Sequence, residues 1–156
     1  MPAPSSIIPV KAQFSLQTKS LVDQLKGIDE HIASKRPAIA INNVRWLAGH
    51  LVNTRYVLMS MIAGEPINPL FREHFGKGST GEILPTTPSL EEIMNHWAFT
   101  DEKLQKTLEH ITEDKLKSPP PFQSSIPDHT IAGLIAYMSM HESHHIGQIS
   151  VIKKLG

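Results

Sequence analysis

Apolar residues recur at spacings of three, four and seven along the first half of the chain, which is the pattern of helices with one buried face. The pattern predicts a first helix over residues 10–34, ended by Pro37. A second helix begins near Asn42 or Asn43, because either side chain can cap the exposed amides of a first helical turn. This second helix continues to Gly64.

The second half of the chain contains two more such stripes. Ser89 and Glu92 have the spacing of a capping box, in which each side chain bonds to the other's backbone amide, so a third helix begins there. A fourth helix begins around residues 128–130, after Pro127, and continues through the last residues. No strand-like alternation competes with these stripes and no internal repeat is visible. The sequence therefore predicts an all-α four-helix bundle.

The links between the predicted helices differ in length. The short link between the first two helices predicts that they are antiparallel neighbours. Residues 64–88 hold four glycines and four prolines, more chain than a tight hairpin needs. A crossover of this length lets the second and third helices run in the same direction, which gives an up-down-down-up order. We expect one domain over residues 1–156, with residues 1–9 as an extended N-terminal arm.

Charge and composition narrow the classes of function. The 15 basic and 15 acidic side chains give a net charge of zero, which argues against nucleic acid or an anionic membrane surface as a partner. Neither a secretory signal nor a membrane-spanning stretch is visible, so we expect a soluble, cytoplasmic protein. The chain has nine histidines and no cysteine, so any metal ligands must come from His, Asp or Glu.

Two histidines on the fourth helix share its apolar face. His141 and His145 lie four residues apart, so both rings project into the bundle from adjacent turns. Neutral imidazole is the commonest metal ligand, and a shared cation satisfies two buried rings together. The alternative is that each ring fills space and bonds to a carbonyl. His144 lies at the edge of this face and is expected on the surface or at an interface.

His141, Glu142 and His145 also form an H-E-x-x-H pattern, in which Glu142 would act as the general base of a zinc peptidase. Such enzymes need a third ligand downstream, and the eleven residues after His145 contain no His, Asp or Glu. The peptidase interpretation is therefore the weaker one. Glu142 remains a candidate base, a partner of a ligand, or a residue that faces another subunit.

The third ligand must then come from an earlier helix, and His50 is the best candidate. Its side chain projects from the second helix in nearly the same direction as those of Leu47, Leu51 and Thr54, which form the inward face. With a rise of ~1.5 Å per residue, His50 lies about 10 Å along its helix, and the later pair lies roughly 17–22 Å along the fourth. These depths match if the two helices are antiparallel. Gln148, at the edge of the inward face, could orient a bound water or substrate, or make a helix-capping or interhelical hydrogen bond.

The remaining histidines fall beside the stripes or in connections, and we expect them on the surface. They are His31, His74, His96, His110 and His129.

The segment ending in Gly49-His50-Leu51 and the later H-x-x-x-H-x-G-Q-I of residues 141–149, together with the helix layout, resemble the DinB-like family. The resemblance covers nearly the whole chain. It implies an up-down-down-up bundle, a homodimer, and a divalent metal such as zinc or nickel. The family's three-histidine site maps onto His50, His141 and His145. Relatives include thiol-dependent S-transferases and a mycothiol-dependent isomerase, and hydrolase activity has been proposed for others.

Two functional hypotheses follow. Three histidine ligands leave the metal with an open position, which can activate water or a low-molecular-weight thiol. The first hypothesis is therefore a metal-dependent transferase or hydrolase that acts on a small molecule, with a low-molecular-weight thiol as co-substrate. The second is a non-catalytic bundle, with or without metal, in which any metal only stabilises the fold or a dimer.

Overall fold

The computed structural model describes residues 2–122 and 125–155. Met1 and Gly156, the ends of the predicted domain, lie outside the described residues. The described part is helical and contains no strand, so the predicted all-α class is confirmed. The four long helices are α1 (Ile8–Leu25), α3 (Val44–Ala63), α5 (Leu90–His110) and α7 (Ile131–Leu155), and the three short ones are α2 (Glu30–Ser34), α4 (Pro69–Phe75) and α6 (Glu113–Lys117).

The helix ends follow the local signals in the sequence. The Asn43 side chain accepts a hydrogen bond from the Trp46 amide at the start of α3. Gly64 ends that helix in a left-handed conformation, with φ of 67°. At the start of α5, Ser89 and Glu92 form both bonds of the capping box. Because a cap depends on residues within one turn of each other, these boundaries are predictable from sequence.

Two boundaries at the N-terminal end differ from the prediction. The predicted first helix is interrupted at Gly27, whose φ of 78° leaves the right-handed helical region, so α1 ends at Leu25 and α2 is separate. The extended arm predicted for residues 1–9 is also wrong in its second half. Residues 5–7 form a 3₁₀ turn that leads directly into α1, because Ile7 is buried in the core and Pro9 is tolerated in a first helical turn.

The order of the helices around the bundle also corrects one expectation. Helix α1 packs mainly against α5 and α7, and α3 packs against the same two helices. The first two long helices therefore face each other diagonally and are not the neighbours that the short link suggested. The link contains α2, which packs against α3 and gives the chain room to cross.

Hydrogen bonds between the ends of different helices, or residues next to those ends, show their relative directions. They indicate that α1 is antiparallel to α5 and parallel to α7, and that α3 is parallel to α5, which favours the predicted up-down-down-up order. The contacts are Lys11 with Glu109, Lys26 with Lys153, and Arg45 with Thr87.

The crossover between α3 and α5 contains the short helix α4, which packs against α3. Phe71 and Phe75 of α4 are buried in the same core as the long helices. This packing brings the end of α4 to the level of the first half of α3, where His50 lies. Within residues 2–122 and 125–155, no helix is long and apolar enough to cross a membrane.

Candidate metal centre

Three imidazoles from two helices meet at one point of the bundle. The Nε2 atom of His141 lies 3.3 Å from Nε2 of His50 and 3.1 Å from Nε2 of His145. One nitrogen from each ring lies within 4.8 Å of the other two, and the described residues contain no other such group of three or more His, Asp or Glu side chains. The structure thus brings together the three residues selected from sequence spacing.

The crossover holds His50 in place. The Nδ1–H of His50 donates to the Phe75 carbonyl at the end of α4, at 2.7 Å, so its Nε2 lone pair is directed towards the other rings. Trp46, one turn earlier on α3, stacks on the His50 ring with 4.6 Å between ring centroids. Gly49 lets α4 approach this closely, because a Cβ built there would lie 2.5 Å from the Phe75 ring.

The two rings on α7 have different outer partners. The Nδ1–H of His145 donates to Oε1 of Gln148 at 2.6 Å, so the Gln148 amide orients a candidate ligand. This contact is neither the helix-capping nor the interhelical hydrogen bond considered for Gln148 from sequence, because both residues lie within α7. The Nδ1 atom of His141 is buried and has no hydrogen-bond partner among the described residues. The Tyr137 ring lies one turn before it, with 6.5 Å between ring centroids.

Burial keeps the three rings neutral. It lowers the pKa of His50 and of His145 below the ordinary value, although the bonds to Phe75 and Gln148 act in the opposite direction. The pKa of His141 falls to about 4, because burial and then the neighbouring His145 and His50 both disfavour its charged form. A neutral imidazole has the free lone pair that a metal ligand requires.

The distances suit a single cation. Nitrogens held tetrahedrally at about 2.0–2.1 Å from a zinc ion are about 3.3–3.4 Å apart, which agrees with two of the separations here, at 3.1 and 3.3 Å. His50 and His145 donate their Nδ1–H groups to other residues, so the Nε2 atom of each ring carries only a lone pair. The three Nε2 atoms that face one another therefore share at most one proton, the one that His141 can carry on Nε2. A shared cation satisfies all three, and the residues present fit such a metal.

Glu142 belongs to a different cluster. Both of its carboxylate oxygens accept hydrogen bonds from Arg55, at 2.7 and 3.0 Å, and its side chain is 1% exposed. Burial raises the pKa of Glu142, and the Arg55 charge opposes that rise. The general-base role considered for Glu142 in a zinc peptidase is not supported, because the carboxylate is turned towards Arg55 in the bundle core.

Comparison with known proteins identifies the family. A family model described as the DinB superfamily matches residues 13–149. The chain belongs to the DinB superfamily. One solved structure with the same fold as this DinB-superfamily protein is that of a conserved protein from Enterococcus faecalis, with a TM-score of 0.72, 17% identity and 94% of each chain covered. Comparison with curated proteins finds no match.

Sequence reasoning overlooked several residues of this DinB-superfamily protein. Arg55 is fully buried. Its place in a stripe of otherwise apolar or small residues indicates a buried face, but it does not reveal which residue pairs with the charge. His74, expected on the surface, is buried on α4, where its ring nitrogens lie within hydrogen-bond distance of the hydroxyls of Thr86 and Thr87. His96 is half-buried against Tyr56, while His144 is exposed as expected.

Proposed function

We propose that this protein is a metal-dependent transferase or hydrolase that acts on a small molecule, with His50, His141 and His145 holding one divalent cation, zinc or nickel. The observation that carries the proposal is the convergence of three neutral imidazole nitrogens from α3 and α7 within 4.8 Å of one another. Membership of the DinB superfamily supports it, since the matched residues 13–149 include all three histidines. The resemblance in sequence maps the three-histidine site of the family onto these same residues.

Different residues of the chain would hold the cation, orient its ligands and exclude water. The three imidazoles hold the cation, while the Phe75 carbonyl and the Gln148 amide fix two of the ring orientations. Trp46 covers one face of His50 and keeps water from that side. A divalent cation held by three protein ligands supplies Lewis-acid activation of water or of a thiol.

A low-molecular-weight thiol is the co-substrate that we propose for group transfer. The chain has no cysteine, so a sulfur nucleophile must come from outside the protein. A groove beside α7 offers a place for the substrate, with a lining that includes Pro127, Tyr137 and Met140. Tyr137 connects this groove to the centre, because its ring also lies beside His141.

Metal analysis of single variants tests the first half of the proposal. We expect about one zinc or nickel ion per chain in the wild type, and little or none in His50→Ala, His141→Ala or His145→Ala. His144→Ala is the matched control, because His144 is an exposed histidine on the same helix outside the three-ring group, and it should keep the metal. Metal-free wild type that binds neither Zn²⁺ nor Ni²⁺ by calorimetry would refute the metal site.

The catalytic half needs a separate assay. The metal-loaded wild type should transfer or hydrolyse a group on a panel of thiol- and ester-containing small molecules, and His145→Ala should not. A protein that binds the metal stoichiometrically and gains thermal stability from it, yet turns over no member of the panel, would instead support the non-catalytic bundle.

A further inference from the structure

One arginine side chain joins all four long helices in the middle of the bundle. Arg55 of α3 donates from Nε and Nη2 to the two carboxylate oxygens of Glu142 on α7. It also donates to Thr18 of α1 and Asp101 of α5, at 2.8 and 3.3 Å. Its guanidinium lies over the Trp97 ring, 3.5 Å from the ring centroid. The side chains of Arg55 and Glu142 are each 1% exposed, so the pair is buried from solvent.

Stability alone is a poor reason for such a pair. Removing two charges from water costs several kcal/mol per ion, and a well-packed apolar pair is often as stable or more so. What a buried, two-pronged ion pair does provide is geometry, because two parallel N–H donors of the planar guanidinium must align with both carboxylate oxygens at once. The pair therefore fixes how α7 is rotated against α3.

That rotation determines whether the candidate metal centre can form. Glu142 follows His141 directly and precedes His145 by three residues, and Arg55 lies five residues after His50 on α3. The two helices are thus joined twice, by the histidines and by the ion pair. Each residue turns a helix by about 100°, so a slip of α7 by one position would take Glu142 away from Arg55 and both α7 rings away from His50.

We infer that Arg55 and Glu142 are positioning residues that set the rotation of α7 and so bring His141 and His145 to His50. This inference rests on the proposed metal binding. Neither residue belongs to the three-histidine group, so the pair would act through the helix that carries two of the ligands. It also assigns Glu142 of the H-E-x-x-H pattern a role other than that of a base.

The test uses Co²⁺, whose visible absorption reports the geometry of its ligands. Glu142→Gln, Arg55→Met and Arg55→Lys are compared with the wild type and with Leu108→Ala, which removes buried apolar volume from α5 and leaves the pair intact. Urea unfolding of the metal-free proteins gives their stabilities. We expect about 10- to 100-fold weaker Co²⁺ binding in all three pair variants and an altered spectrum at saturating Co²⁺. Leu108→Ala should be destabilised yet keep the wild-type spectrum and affinity.

The lysine variant separates orientation from charge. Arg55→Lys keeps the positive charge and loses the two-pronged contact, so wild-type affinity in this variant would overturn the inference. Wild-type affinity and spectrum in Glu142→Gln would overturn it too, and this near-isosteric change decides the matter if Arg55→Met does not fold.

A failure of the proposed metal site would look different. If the wild type binds no Co²⁺, nuclear Overhauser contacts between the His50 and His145 ring protons in the metal-free protein still report the convergence. The inference predicts that Glu142→Gln weakens these contacts, and unchanged contacts would contradict it.

Discussion

At the scale of single residues, the candidate metal centre depends on the atoms that accept hydrogen bonds from the ligand rings. An imidazole can rotate about two side-chain bonds, and a hydrogen bond at Nδ1 selects one orientation and one tautomer. His50 has the Phe75 carbonyl for this purpose, and His145 has the Gln148 amide oxygen. Gln148 is therefore expected to contribute to metal affinity without contacting the metal.

Replacing Gln148 tests this directly. Gln148→Leu removes the acceptor for the His145 Nδ1–H, and we expect metal affinity to fall about 10- to 100-fold, as measured by competition with a chelating dye. Gln148→Glu keeps an acceptor at the same position and should bind at least as tightly as the wild type. Equal affinities in the leucine variant and the wild type would show that the ring is held by its packing alone.

At the scale of secondary-structure elements, the close contact between α3 and α4 places the first ligand. Gly49 and the Phe75 ring meet where a side chain would not fit, since a Cβ at Gly49 would lie 2.5 Å from ring carbons of Phe75. The same residue of α4 supplies the carbonyl that holds His50. A change in the spacing between these helices is therefore transmitted to the histidine.

Gly49→Ala should push α4 away from α3. We expect the free energy of unfolding to fall by about 1–3 kcal/mol, as overpacking of a filled core does, together with weaker metal binding. Gly147→Ala on α7 is the matched control, because a Cβ there meets no described atom within 4 Å. The control should be neutral or more stable by up to about 1 kcal/mol, owing to the helix propensity of alanine. Equal unfolding midpoints in urea for the two variants would refute the close-packing argument.

At the scale of the whole molecule, burial of three histidines links folding to pH. In the unfolded chain these rings have the ordinary pKa of 6.5, whereas in the folded protein the pKa of His141 is about 4 and those of His50 and His145 are also lowered. Between pH 6.5 and 4 the unfolded state therefore binds protons that the folded state does not, and the free energy of unfolding falls as the pH falls.

Urea unfolding of the metal-free protein between pH 7 and pH 5 measures this effect. The wild type should lose stability steadily below pH 6.5, and His141→Gln, which removes the ring whose pKa falls to about 4, should show a shallower loss over the same range. His31→Ala, at an exposed histidine on α2, should follow the wild-type slope. Parallel slopes for His141→Gln and the wild type would mean that His141 takes up its proton in the folded protein at an ordinary pKa.

The sequence determined the features that depend on neighbouring residues. The capping box at Ser89 and Glu92 and the Asn43 cap each lie within one helical turn, so their residue types suffice to predict them. The same holds for the shared face of His141 and His145, which follows from helix geometry alone. His50 could be added because the depth of a residue along a helix can be counted.

The tertiary structure decided the contacts between residues far apart in the chain. Glu142 pairs with Arg55, which lies 87 residues away, and His50 is held by the backbone carbonyl of Phe75. No pattern among neighbouring residues predicts either contact. The diagonal placement of α1 and α3 likewise could not be predicted from sequence. The length of a link limits how far apart two helices can lie, but it does not determine which faces they bury. Local backbone preferences set where helices form, while the burial of apolar faces and the pairing of buried polar groups set how those helices are arranged.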